Sequence, residues 1–482
     1  MDYEYHIEVT KGDTIQVLGV LKTPARDDGR YGPERITLDP LRSATIEVLG
    51  SWLNRWTAVR ETGYSTMSVP KTREVLGQHL YNLLIQGAVE KGLTEARQAA
   101  EAAGEPLRVL LGFDGAADEV AQYPWELLYQ PGPGDSGDFL ARTGSLVLSR
   151  RLLWERGVFR TTPKEPPLVV YFVVAVPRTK AYRSQRKELL GSLKQAEEYT
   201  TSIDPKILDH WDPDEIRRRL ATDPYPHIVH VVGVCHRRWD RGEIRLELCV
   251  DDGAGGERWV DTDALLRLFD DDGQLDPEDR PRLVVLHLCE ASPLDFEVTF
   301  ERLAPKLIQK RIPAVLAMQY PVAGAAAQRF VGHLYDKLAN RKSIEEAVRD
   351  ARIALFDHFV EDRLFGSPVL YMQSVDSELL PMKTGTPAGA DAGPGSVSAT
   401  GPPTSSRQGF LLRVLEDQHP PGDLLAEVRQ FILDTDWPKG WTDVERLLTQ
   451  QVRELASEPA LVKLFAALVE AVQRKVEERL AS

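Results

Sequence analysis

The chain has 482 residues, 42% of them hydrophobic, which is enough to bury more than one core, so two or three folded units are expected. Its 59 Lys and Arg against 73 Asp and Glu leave a formal charge of −14, and with no dense basic block this acidic field repels phosphate backbones and excludes nucleic acid as a main partner. Cys235, Cys249 and Cys289 make neither a disulfide framework nor a zinc-ligand pattern, and no leader or apolar span of roughly 18 residues is evident, so a cytoplasmic protein with no membrane, metal or cofactor partner is predicted.

Residues 1–60 alternate short β-like stretches (HIEVT, TIQVLGVL, RITLD) with Gly, Pro and Asp, the pattern of strands and turns. From Lys71 to Ala103 helix formers dominate, with Leu76, Leu80, Leu83, Leu84 and Ile85 on one face. LRVLLGF then reads as a strand. YPWELLYQPG sets Trp125 and Tyr129 at helical spacing behind Pro124, with Trp125 a core residue by its size, and SLVLSRRLL is a further strand.

Between 167 and 373 apolar runs (PLVVYFVVAV, HIVHVVGV, IRLELCV, RLVVLHLC, PAVLAMQY, SPVLYMQ) alternate with amphipathic helices. This rhythm predicts an α/β fold with a mostly parallel sheet covered on both faces. The expected organisation is an N-terminal α+β lobe over 1–162, the α/β domain over 163–373, a flexible Gly/Ser/Pro-rich linker over 374–408, and a small all-α module over 409–482. In that module the stripe Leu461, Leu464, Leu468, Val469 and Val472 serves either a docking adaptor or a bundle that packs on its own chain or self-associates.

Functional groups of an open α/β sheet gather beyond the carboxyl ends of its strands. RLVVLHLC delivers Cys289 there, and HIVHVVGV runs into CHRRWD, so His236 stands near the end of a second strand. An imidazole beside a thiol raises its thiolate fraction and later protonates the leaving amine, so these two residues have the chemistry of a dyad. A cysteine at a strand end is also, taken alone, an ordinary small hydrophobe. Glu290, Asp295 and Glu297 read either as a pocket for a basic side chain or as a solvated acidic helix start.

YPWELLYQ, FLARTGSLVLSRRL, RLVVLHLCEAS, the stretch from IPAVLAMQYPVAG to DARIAL, and LFGSPVLYMQ occur in the order found in the CHAT family, the prokaryotic caspase-like and separase-like peptidase domains, and the run from about Leu76 to Gln373 resembles that family. The resemblance implies a caspase-like three-layer α/β/α fold, with Cys289 as nucleophile and the backbone N–H groups of Cys289 and Gly233 as oxyanion donors. One motif departs: the family's catalytic His sits in a Gly-His-Gly, where this chain has Gly233, Val234 and Cys235. Valine carries no proton. Two expectations follow, a peptidase-like scaffold that binds partner proteins without cutting, or a cysteine endopeptidase pairing Cys289 with His236. His287 shares a side with Cys289 about 7 Å further back, and His230 lies about 13 Å from the Val234 position by the rise of a strand.

Overall fold

Val, Ile and Leu fill the central strands on both faces because both faces are covered. The computed structural model describes residues 3–36, 69–153, 167–191, 202–269, 279–290 and 303–373, apart from short gaps within these spans, and scattered positions in 44–50 and from 380 onward. The side chains of 236–246 and 289–290, all of 291–302, and the expected linker apart from Leu380 lie outside the described residues.

The strands are β1 Glu4–Lys11, β2 Ile15–Thr23, β3 Arg26–Ile36, β4 Leu107–Phe113, the short pair β5 Tyr129–Gln130 and β6 Asp138–Phe139, β7 Leu146–Leu152, β8 Leu168–Val174, β9 Ile203–Leu208, β10 Ile228–Asp240, β11 Glu243–Asp251, β12 Glu257–Asp261, β13 Leu283–Glu290, β14 Ala314–Met318 and β15 Pro368–Met372. The longer helices are α1 Val69–Leu84, α2 Gly87–Ala103, α3 Pro213–Leu220, α4 Leu303–Gln309, α5 Gly324–Ala339 and α6 Ile344–His358.

All strands but β5 and β6 join one sheet, in the order β12-β11-β10-β13-β14-β15-β7-β4-β1-β2-β3, with β8 beside β10 and β9 beside β8. It consists of two parallel blocks of opposite sense. β9, β8, β10, β13 and β14 run one way. β15, β7, β4 and β1 run the other way, and the blocks meet where β14 pairs antiparallel with β15. The sheet is therefore continuous across residue 162. One face carries α1, α2, α5 and α6, and the opposite face of the first block carries α3 and α4, which gives three layers.

Two local features differ from the sequence pattern. The helical tract from 71 to 103 divides at Gln86, where Gly87 takes φ 54 and the Ala88 N–H is held by Glu34 at 2.8 Å. The YPWELL segment forms only a three-residue 3-10 turn, Trp125–Leu127. Its preceding carbonyls do not propagate a helix because Arg150 takes them: its guanidinium donates to the carbonyls of Ala121 and Tyr123 at 2.8 and 3.1 Å. Trp125 is fully buried, as expected, and donates its indole N–H to the Val120 carbonyl at 3.0 Å.

The second block is knit together by buried ions. Arg150 of β7 pairs with both oxygens of Glu126 at 3.0 and 2.5 Å. Arg108 of β4 bridges Glu345 of α6 at 2.6 Å and Glu4 of β1 at 2.7 Å, and the Ser149 hydroxyl also donates to Glu345. Arg352 of α6 donates to the carbonyls of Pro368 and Leu148, tying β15 to β7. Charges taken out of water this completely are tolerated only when paired, and removing one partner leaves the other uncompensated.

The chain divides into two compact units, residues 1–386 and 387–482. In the second unit Val428, Leu448, Phe465, Leu468 and Val472 are helical and buried. Among the described residues no helix is long and apolar enough to cross a membrane.

Removing the Glu345 carboxylate as Glu345→Ala should destabilise the folded chain by about 3–5 kcal/mol, measured by urea unfolding with α6 helicity as the probe. A second expectation concerns acid. Burial alone would raise the Glu4 carboxyl, but the hydrogen bond from His6 and the charge of Arg108 outweigh it and hold it at about 2 instead of the ordinary 4.5. A depressed carboxyl stabilises the fold above pH 4.5 and loses that contribution as pH falls towards 2, so Glu4→Gln should flatten the stability profile across that window.

Candidate active site

β10 and β13 lie side by side and parallel, with Val234 opposite Cys289 and Cys235 opposite Glu290. β13 ends at Glu290, so Cys289 is one residue from the carboxyl end of a central strand. On the other side of β10, Val234 stands opposite Cys249 of β11, which stands opposite Trp259 of β12. The row across the sheet is therefore Trp259, Cys249, Val234, Cys289. None of its members is an imidazole or a carboxylate, and Val234 is fully buried.

β10 continues well past this row, to Asp240, and His236 pairs with Glu247 of β11. It has the parity of Val234 but lies one position beyond the last residue paired to β13. The rise and spacing of strands put its Cα about 8 Å from that of Cys289. Gly233 is an interior strand residue opposite Leu288. A Cβ there would come within 2.7 Å of Leu248 and 3.0 Å of Leu288, so close packing on the face opposite Val234 requires the glycine. Glu290 is the last residue of β13, and Asp295 and Glu297 lie outside the described residues.

Cys235 and Cys249 are both buried, free thiols. Burial, with the nearby Glu257 carboxylate, pushes the Cys249 thiol up to about 11 despite a hydrogen bond with Tyr182. Thiolate chemistry at neutral pH is thereby closed to it.

Directly behind the Val234–Cys289 row lie two histidines. His287 stands opposite Val232, and His230, two residues earlier on β10, stands opposite Val285. Both are fully buried, with ring centroids 5.8 Å apart and planes 28° from parallel. His287 Nε2 is 2.8 Å from the Val322 carbonyl, which only accepts, so this nitrogen carries the proton and Nδ1 is a bare acceptor. His230 Nδ1 is 3.0 Å from the Tyr335 hydroxyl of α5. His230 Nε2 and His287 Nδ1 have no hydrogen-bond partner among the described residues. Burial lowers both imidazoles below 6.5, His230 further because His287 is beside it. Tyr335 and the Val322 carbonyl have no signature in the sequence, because their part depends on how α5 and the end of β14 fold over the sheet.

Among the described residues His210, Asp212 and Glu215 bring possible metal-ligand atoms within 4.8 Å of one another. Asp212 is already the N-cap of α3, accepting from the amides of Asp214 and Glu215, and ordinary helix capping accounts for the group.

A parallel α/β block with a cysteine at the carboxyl end of a central strand defines the class, and the family model named CHAT domain matches residues 74–370. The chain belongs to the CHAT family. No curated protein matches it. Among solved structures it is similar to the Arg-specific cysteine proteinase gingipain R, with 12% identity, 65% of this chain and 74% of that one covered, and a TM-score of 0.34. It is also similar to the Saccharomyces cerevisiae separase–securin complex, at 11% identity, with 79% of this chain and 30% of that one covered and a TM-score of 0.39. Caspase-1 from Spodoptera frugiperda gives 12%, 48%, 99% and 0.31 in the same order.

The buried imidazoles set a direction for pH. They are neutral when folded, whereas in the unfolded chain they take up protons below about 6.5, so stability should fall as pH drops through and below that value. Urea midpoints between pH 7.5 and 5 should show this slope, reduced in the double variant His230→Gln, His287→Gln.

Proposed function

We propose that this protein is a catalytically impaired, peptidase-like scaffold of the CHAT family, acting in prokaryotic signalling or defence by binding partner proteins, with the C-terminal helices as a docking adaptor. The observation that carries this reading is the pairing of Val234 with Cys289. Attack on a peptide carbonyl needs a base to take the thiol proton and an acid to protonate the leaving amine, together about 10²–10⁴ in rate. Valine does neither, and a free thiol with a pKa near 8.5 is only a few per cent thiolate at pH 7. The histidines behind the row are neutral and buried, which disfavours a stable thiolate–imidazolium pair there.

One observation favours a second reading, a cysteine endopeptidase that uses Cys289 with His236. β10 stays regular through His236 and keeps it on the parity of Val234, beyond the end of the β13 pairing.

The two readings separate on alkylation of Cys289 by iodoacetamide, followed by peptide mapping, and on cleavage of a peptide library. A scaffold gives no turnover and an alkylation rate that climbs with pH as for an ordinary thiol. Val234→His should then raise the rate near pH 7 by about ten-fold, because a base now stands in the cysteine's row. Wild-type cleavage lost in both Cys289→Ala and His236→Ala would overturn the scaffold reading in favour of the peptidase.

A further inference from the structure

We propose that Glu126 is a positioning residue for the Cys289 end of β13, acting through Gln319 and the Val322 carbonyl. The inference rests on the reading that this end of β13 is the functional edge of the sheet.

Arg150 alone would account for a buried carboxylate at Glu126, since it donates to both oxygens at 3.0 and 2.5 Å. Yet Oε2 accepts a further hydrogen bond, from the Gln319 amide at 3.0 Å. Gln319 is the residue after β14, at the edge where β13 also ends. Its amide donates a second time to the Gly366 carbonyl at 2.5 Å, and its backbone N–H donates to the Ser367 carbonyl at 2.8 Å. The end of β14 is thus fixed from two sides, by the start of β15 and by a carboxylate from the turn that precedes β5.

Three residues further on, the buried Val322 offers its carbonyl to His287 Nε2 at 2.8 Å. Gln319 and Val322 stand three residues apart in the chain, and Tyr320 between them is also buried. The bond to Val322 selects the His287 tautomer and orients its ring, leaving a bare Nδ1 two residues before Cys289. A carboxylate remote in sequence is in this way coupled to the protonation pattern beside the cysteine. The other buried pair, Arg108 with Glu345, hydrogen-bonds to Glu4 and Ser149 and serves as its control.

The test uses the full-length chain and two readouts, neither of which requires turnover. Nitrogen-15 NMR of the imidazoles follows the His287 Nε2 proton and its solvent exchange. Peptide mapping follows iodoacetamide alkylation of Cys289 at pH 7. Glu126→Ala and Gln319→Ala should each speed exchange of that ring proton about ten-fold or more and change the alkylation rate about five-fold, with the double variant little beyond the larger single effect, as for residues that act as one unit. Glu345→Gln should lower stability and move neither readout. Gln319 is only half-buried, so its variant carries the test if Glu126→Ala does not fold. Unchanged exchange and alkylation in Gln319→Ala, or equal shifts in Glu345→Gln, would overturn the proposal. Failure of the scaffold reading shows up separately, as library cleavage, and leaves the ring-proton result to stand by itself.

Discussion

The antiparallel join between β14 and β15 is the constraint on which the rest of the molecule depends. It puts two parallel blocks of opposite sense into one sheet, so the carboxyl ends of β8, β10, β13 and β14 share an edge with the beginning of β15. The chain between β14 and β15 forms α5 and α6, which cover one face of the sheet, and buried arginines knit together the second block beside the join. Arg352 binds the Pro368 and Leu148 carbonyls, and Arg150 and Arg108 bring in Glu126, Glu4 and Glu345 from three separate stretches of chain. Desolvated ion pairs add little net stability over a packed apolar core, so these arginines act chiefly to tie α6, β1 and the Trp125 turn to the second block.

That edge gives the site its chemistry. Cys289 arrives at it because β13 runs out one residue later, and its neighbours across the sheet are set by register and not by proximity in sequence. The row Trp259, Cys249, Val234, Cys289 offers apolar volume and a thiol whose pKa burial has raised.

Behind this row the core is polar in an unusual way. Two neutral imidazoles stack against each other, His230 also packing on Tyr335 and Phe172, and each has one ring nitrogen bonded and one bare. Their bonded nitrogens reach α5 and the residues after β14, so the layer over the sheet and the end of β14 are keyed to the two central strands. The cost of burying bare nitrogens is of the order of 1–3 kcal/mol each, which a purely apolar pair at these positions would avoid.

The sequence by itself determined the local matters. Apolar runs rich in β-branched residues identified most strands of both blocks, including β10, β13, β14 and β15 but not β9, and the ordered motifs identified the CHAT family. It also determined that Val234 follows Gly233, where the resemblance to the family leads one to expect a histidine. Tertiary structure decided what depends on pairing across the chain. The helical spacing in YPWELL became a 3-10 turn because Arg150, distant in sequence, claims its carbonyls, and the tract from 71 to 103 broke at Gly87 because Glu34 caps the second piece. The opposite sense of the two blocks, the stacking of His230 on His287, and the hydrogen bond from Gln319 to Glu126 were likewise settled only by folding. Periodicity reports which face of an element is apolar, but the partner that satisfies a buried charge or a ring nitrogen is chosen by three-dimensional register, and no local pattern encodes it.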